Sequence, residues 1–158
     1  MIQSRLDGSK IFPFTFKRNF IVRRAGVLKI DDKICFPGYI FIESEYACND
    51  FIKKSYVDLK SLKGVFRLLD YGDKQDIALH EEERRAMFQL CNDEYKIVSS
   101  TAIMLNNEIR VETGPLKGLE HTIKKVNRHT REALIEICIL GQVRQLSVSL
   151  EITGITTD

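Results

Sequence analysis

The last stretch of the chain leaves the least conformational choice. Leu146, Val148, Leu150 and Ile152 alternate with Ser147, Ser149 and Glu151. A period of two places the four apolar side chains on one face of an extended strand, whereas a helix would scatter them around its axis. Residues 109–111, 121–126 and 133–140 are further short runs rich in β-branched residues. Gly114-Pro115, Gly118, Asn127-Arg128 and Gly141 punctuate them as turns. Four or five strands within about 50 residues, with no helical stretch among them, predict a small all-β barrel.

The preceding part has a different rhythm. The apolar stretch 34–42 contains Pro37-Gly38, after which Ile40 and Ile42 oppose Tyr39 and Phe41. It predicts a buried strand entered through a turn. Residues 65–69 predict a second strand, closed by the turn-like Asp70-Tyr71-Gly72-Asp73. Between them, apolar residues at 51, 52, 56, 59 and 62 predict a helix over 50–62. A second helix is predicted over 80–90, where Glu81-Glu82-Glu83 suit the positive end of the helix dipole and Arg84-Arg85 follow. Strand, helix, strand, helix describes an α/β unit, so the whole chain is expected to be α+β. The polar stretch from Asn92 to Asn107, with Ser99-Ser100 and Asn106-Asn107, is the expected place for a linker. The division is then a first domain over 1–95, a linker over 96–103 and a second domain over 104–158.

A net charge of +2 over 158 residues hides an uneven distribution. Residues 1–34 carry eight Lys/Arg against three Asp, and residues 117–131 hold Lys117, Lys124, Lys125, Arg128 and Arg131 against Glu120 alone. On charge alone, the second cluster is either a phosphate-facing patch or a solvated turn. No apolar run approaches the roughly 20 residues of a membrane span, and residues 1–7 lack a signal-type apolar core. A cytoplasmic location is expected. Cys35, Cys48, Cys91 and Cys138 are scattered with no C-x-x-C pair, so they are expected as buried free thiols, without disulfides or zinc. His80, His121 and His129 have no nucleophile partner at any motif spacing. Gly114-Pro115-Leu116-Lys117-Gly118 lacks the Gly-Lys-Ser/Thr ending of a phosphate loop. Glu81-Glu82-Glu83 reads as a solvated helix start. No catalytic site, cofactor or metal is expected.

Two segments are more specific than composition. Phe36-Pro37-Gly38-Tyr39-Ile40-Phe41-Ile42 resembles the F-P-G-Y-v-F-v core of the N-terminal (NGN) domain of NusG-type transcription elongation factors. The stretch 109–126, with Thr113-Gly114-Pro115-Leu116-Lys117-Gly118 at its centre, resembles the KOW motif that opens the C-terminal domain of that family. Ala78-Leu79-His80-Glu81-Glu82-Glu83 is similar to the family's "pLseeE" helix start. Val126-Asn127-Arg128-His129-Thr130-Arg131 and Leu150-Glu151-Ile152 resemble the specialised LoaP-type paralogues. The family pattern opens with a W-Y-v strand and a helix; this sequence has no counterpart of that strand, and residues 1–6 resemble the tail of the helix.

The resemblance implies an NGN-type α/β sandwich, lacking its first strand, followed by an SH3-like KOW barrel. It implies that the first domain binds the RNA polymerase clamp through Phe36, Pro37, Gly38, Tyr39 and Phe41, and that Lys17, Arg18, Arg23 and Arg24 touch upstream or non-template DNA. It further implies that the barrel takes RNA, termination factor Rho or a ribosomal protein as partner. The basic excess favours a leader RNA hairpin, bound through Lys117, Lys124, Lys125, Arg128, His129 and Arg131. The expected protein is a monomeric, non-enzymatic antiterminator of a long operon. The alternatives are a housekeeping NusG-type elongation factor or a stand-alone KOW RNA-binding protein.

Overall fold

The computed structural model describes residues 10–72 and 76–156. The helix tail expected at residues 1–6 and Asp73 of the expected turn lie outside them. Strand β1 (Ile11–Phe14) leads into a hairpin of β2 (Lys17–Arg24) and β3 (Val27–Ile34), turned at Ala25 and Gly26, both at positive φ. Strand β4 (Phe41–Ser44) returns antiparallel to β1, with Phe14 opposite Phe41. Helix α1 (Cys48–Ser61) turns Phe51, Ser55 and Leu59 inward, a stripe at four-residue spacing. Phe51, Leu59 and Leu62 close on Ile11 of β1, with Val65, Leu68 and Ile77 packed around them. Helix α2 (Glu81–Leu90) buries Glu83, Met87 and Leu90, and β5 (Lys96–Ile97) runs parallel to the start of β2.

The remaining strands are β6 (Ser100–Leu105), β7 (Glu108–Thr113), β8 (Ile123–Asn127), β9 (Glu132–Ile139) and β10 (Gln142–Thr156). They form one sheet in the order β7-β6-β10-β9-β8. The long β10 joins its two sides. Its first half pairs antiparallel with β9, and its second half, from Leu150, runs parallel to β6. Leu146, Val148 and Leu150 of the alternating stretch are buried, as the period of two requires.

Over the described residues the chain is therefore α+β, mostly sheet with two α-helices. Several expectations are corrected. Among the described residues no ladder joins β7 to β8, so the strands form an open sheet where a small barrel was expected; a loop and a short 3-10 turn, Glu120–Thr122, occupy the join. Residues 65–69 form no strand, because Val65 and Leu68 satisfy their hydrophobicity by packing under α1. The stretch 34–42 is divided: β3 ends at Ile34, a turn follows, and β4 starts at Phe41. Residues 96–103, expected as linker, hold β5 and the start of β6, with Ile97 and Ser100 buried. Phe16, Met87, Leu90 and Ile97 consequently share one core cluster with Ala133, Ile135, Val148 and Leu150.

The seam between the halves is tied by Glu83, which is 8% exposed. Its carboxylate accepts from the amides of Leu140 at 3.1 Å and Gly141 at 2.8 Å, in the turn between β9 and β10, and from the Cys138 thiol at 3.3 Å. The Tyr71 hydroxyl donates a further bond to it, while accepting one from the His80 amide at 2.9 Å. Burial pushes the Glu83 carboxyl up, but these donors outweigh burial and hold it below the ordinary carboxylate value. Burial and the bond to Glu83 push the Tyr71 hydroxyl up to about 12.

Removing this acceptor leaves the half-buried Leu140 amide and Tyr71 phenol without their partner and frees the Gly141 amide and Cys138 thiol, so Glu83→Ala is expected to lower stability by about 1–3 kcal/mol, read from urea denaturation. Because the folded-state pKa lies below the unfolded value, the stabilisation is complete above about pH 4.5 and is lost as pH falls through the folded pKa. Glu83→Gln is expected to flatten that acid-side loss.

Candidate nucleic-acid interface and aromatic cleft

Phenylalanine rings organise the first half. Phe14 stacks on Tyr95 at 3.9 Å, and Phe16 meets Phe41 edge-on at 4.7 Å. Phe36 lies 5.6 Å from Phe41 and 6.4 Å from Tyr39. Gly38, at φ +84°, makes the turn in which the Tyr39 amide donates to the Phe36 carbonyl at 3.1 Å. Pro37 and Gly38 are exposed, while Phe36, Tyr39 and Phe41 are half-buried, Phe36 and Phe41 packing against the core. These three rings line a shallow cleft of about 130 Å³ with Arg67 and Asp70, and Leu140 and Arg144 from the β9–β10 hairpin close its other side. The structure thus gathers the aromatic residues singled out in the sequence. The hairpin wall was not foreseen, since nothing local in residues 139–144 signals a partner a hundred positions upstream.

The basic residues fall into two places. On the β2–β3 hairpin, Lys17, Arg23 and Arg24 are exposed, and Arg24 lies 3.5 Å from Asp31. Arg18 is different: its guanidinium bonds Glu132 of β9 at 3.0 Å, with its side chain only 12% exposed. Burial pushes the Glu132 carboxyl up, but Arg18, with help from Ser147 and Thr130, holds it below the ordinary value. Arg18 is therefore a second tie across the seam, and its charge is spent there.

The other basic group surrounds the β8–β9 turn. A register shift between Ile123 and Lys125 lets two consecutive lysines, Lys124 and Lys125, both face outward. Lys124 pairs with Glu136 at 3.2 Å. The turn is shaped by the Asn127 side chain, which accepts from the amides of His129 at 3.0 Å and Thr130 at 3.2 Å. Arg128 and His129 are thereby held exposed. Arg131, at φ +54°, is half-buried with its Nε 3.5 Å from Glu151. An open groove of about 480 Å³ runs from Arg128 and Arg131 across Glu151 to residues 152–155 of β10. Glu151 and this groove were missed; the signal available was Gly154 interrupting a strand pattern, a mark of a bulge.

Lys117 is exposed on the 114–118 loop. Gly114 anchors that loop at φ +90°, where a Cβ would lie 2.6 Å from the Ser100 Cα and 2.7 Å from the Ser99 carbonyl. The Ser100 hydroxyl, buried beneath, accepts from the Leu116 amide at 3.2 Å. All four cysteines are free, but none is fully buried as expected: Cys35, Cys48 and Cys91 are half-buried, and Cys138 is exposed because β9 turns it outward. Burial pushes the Cys35 and Cys91 thiols up to about 12. Among the described residues no group of three or more His, Cys, Asp or Glu stands together as a metal site, and no helix is long and apolar enough to cross a membrane.

The sequence matches no protein-family model, and no curated protein matches it. The class that fold and site define is thus a mixed α+β protein with a shallow aromatic cleft at its seam and a basic turn beside an open groove.

Gly114→Ala combines a strained φ with backbone overlap, so it is expected to destabilise by about 2–4 kcal/mol, read as a lowered urea midpoint. An unchanged midpoint would contradict the close approach to Ser99 and Ser100.

Proposed function

We propose that this chain is a NusG-like transcription factor, an NGN-type domain followed by a KOW-type β domain, that binds RNA polymerase and promotes processive antitermination of a long operon. Its recruitment is through an RNA hairpin in the operon's leader. The carrying observation is the pair of segments Phe36-Pro37-Gly38-Tyr39-Ile40-Phe41-Ile42 and 109–126, which resemble the two signature motifs of that family in the family's order. Two surface features support the reading. The first segment lines an aromatic cleft in which Tyr39 is half-buried, offering apolar area with a polar tip to a partner. The second lies beside a turn that holds Arg128 and His129 in solvent next to Lys125.

The action is that of a clamp. A protein that binds the closed, processive state of polymerase better than the paused state shifts the population towards elongation, with no bond made or broken. RNA capture by the basic turn would be dominated by phosphates. Lys117, Lys124, Lys125, Arg128 and Arg131 would give about five contacts and a slope of log affinity on log salt of about −3.5 to −4.5. A hairpin stem is read by shape and backbone, since the deep major groove of its A-form helix excludes side chains. On the polymerase-facing half, Lys17, Arg23 and Arg24 would touch DNA phosphates of the transcription bubble.

Single-round transcription by a bacterial RNA polymerase through an intrinsic terminator tests the reading, on templates with and without the leader of the chain's own operon. Read-through that requires both the chain and the leader is expected; equal termination in every arm would overturn it. Lys125→Glu with Arg128→Glu is expected to cut leader-RNA affinity at least tenfold and to spare polymerase binding. Tyr39→Ala should do the reverse.

A further inference from the structure

The groove beside Arg131 has features that a solvated turn does not need. Arg131 sits at positive φ, rare for a residue with a side chain, and its carbonyl accepts the Leu150 amide at 2.9 Å. That bond fixes the Arg131 backbone beside β10. Its Nε meets Glu151 at 3.5 Å, too long for a good hydrogen bond, and both side chains are partly exposed, at 31% and 43%. A half-exposed, single-point pair of this kind is weak. The rest of the guanidinium fork has no other carboxylate within ion-pair reach among the described residues. Opposite lies the outer half of β10. Its ladder with β9 runs only to Ser149, so among the described residues no strand pairs with residues 152–155 on the side away from β6. The register shift at Thr153 further breaks the ladder there. Backbone amides on such an edge are unpaired donors. Two arginines, an open edge and about 480 Å³ of space therefore converge on one groove.

We infer that this groove seats a phosphodiester of the bound RNA, and that Glu151 holds Arg131 in the phosphate's place when RNA is absent. The inference rests on the RNA-binding reading above. A phosphate takes the arginine fork through two parallel bonds, which Glu151 does not achieve, and it also accepts from edge amides that a carboxylate on the same strand cannot reach. Binding is then an exchange of anions at Arg131. Glu151 acts as a competitor that sets the affinity threshold and disfavours weakly held anions. The same edge would admit an extended peptide by strand addition. The two arginines on the rim, together with Lys125 and His129 nearby, favour a polyanion.

The test measures affinity of the full chain for two labelled RNAs: the leader transcript of its own operon and a duplex stem of unrelated sequence. Glu151→Gln is expected to tighten leader binding about two- to fivefold, and Arg131→Met to weaken it about tenfold. The deciding variant carries both changes. An exchange at Arg131 requires the Glu151→Gln gain to vanish in the Arg131→Met background, whereas a mere change in net charge would persist there. Unchanged circular dichroism of each variant guards against misfolding. Wild-type binding that is lost on charge reversal at Lys125 and Arg128, yet indifferent to Glu151, would overturn this inference and leave the RNA reading standing. Absence of leader binding by the wild type would overturn both. Capture of an acidic extended peptide in place of RNA, enhanced by Glu151→Gln, would overturn the inference and assign the groove to strand addition.

Discussion

A buried carboxylate with four donors aimed at it holds this molecule together. Glu83 belongs to the first turn of α2, yet its partners are the amides of Leu140 and Gly141, the Cys138 thiol and the Tyr71 hydroxyl. The energetic weight lies in the convergence: one buried acceptor serves four donors, of which the half-buried Leu140 amide and Tyr71 hydroxyl lack full access to water if it is lost. Leu140 and Gly141, both at positive φ, form the tight turn between β9 and β10. Glu83 caps that turn from outside, so one side chain fixes both a helix position and a hairpin. Arg18 and Glu132 make a second tie, between β2 and β9.

The consequence is a shared core. Met87 and Leu90 of α2 and Phe16 of the first half bury against Ala133, Ile135 and Val148 of the sheet. The aromatic cleft exists only because of this docking, since Phe36, Tyr39 and Phe41 form one wall and Leu140 and Arg144 the other. The basic turn depends instead on short-range devices: the Asn127 side chain, the bulge beside Lys124 and the left-handed Arg131. The aromatic cleft and the basic turn are thus built by different physics within one fold.

Much of this was legible. The strand from Leu146 to Ile152, the helix ending near residue 62, the helix that opens at Glu81-Glu82-Glu83, and the glycine and asparagine turns emerge where the sequence predicts them; the burial of Ser149 and exposure of Tyr56 depart from the simple periods. What escaped depends on tertiary partners. Ser100 reads as linker, but its hydroxyl is buried as the acceptor of the Leu116 amide, and β6 is built around it. Glu83 reads as the solvated opening of a helix, and the helix is there; nothing local says that a hairpin more than fifty residues away supplies its donors. The β2–β3 hairpin is hidden because Arg18, Asn19, Arg23 and Lys33 interrupt any apolar alternation, and β3 stays exposed along its length. Arg18 looks like its exposed neighbours and differs only in having Glu132 beside it. Among the candidate site residues, the aromatic set was readable as a group, but the groove and Glu151 were not, because the edge of β10 is defined by where β9 stops.

Amide hydrogen exchange at Leu140 and Gly141, followed by NMR at neutral pH, tests the seam most directly. Both amides lie in a tight turn that would exchange quickly if the halves moved independently. Capture by Glu83 predicts protection comparable to that of the buried Val148 amide, with all three opening together in denaturant. Exchange of Leu140 and Gly141 at the rate of an exposed turn, while Val148 stays protected, would contradict the account.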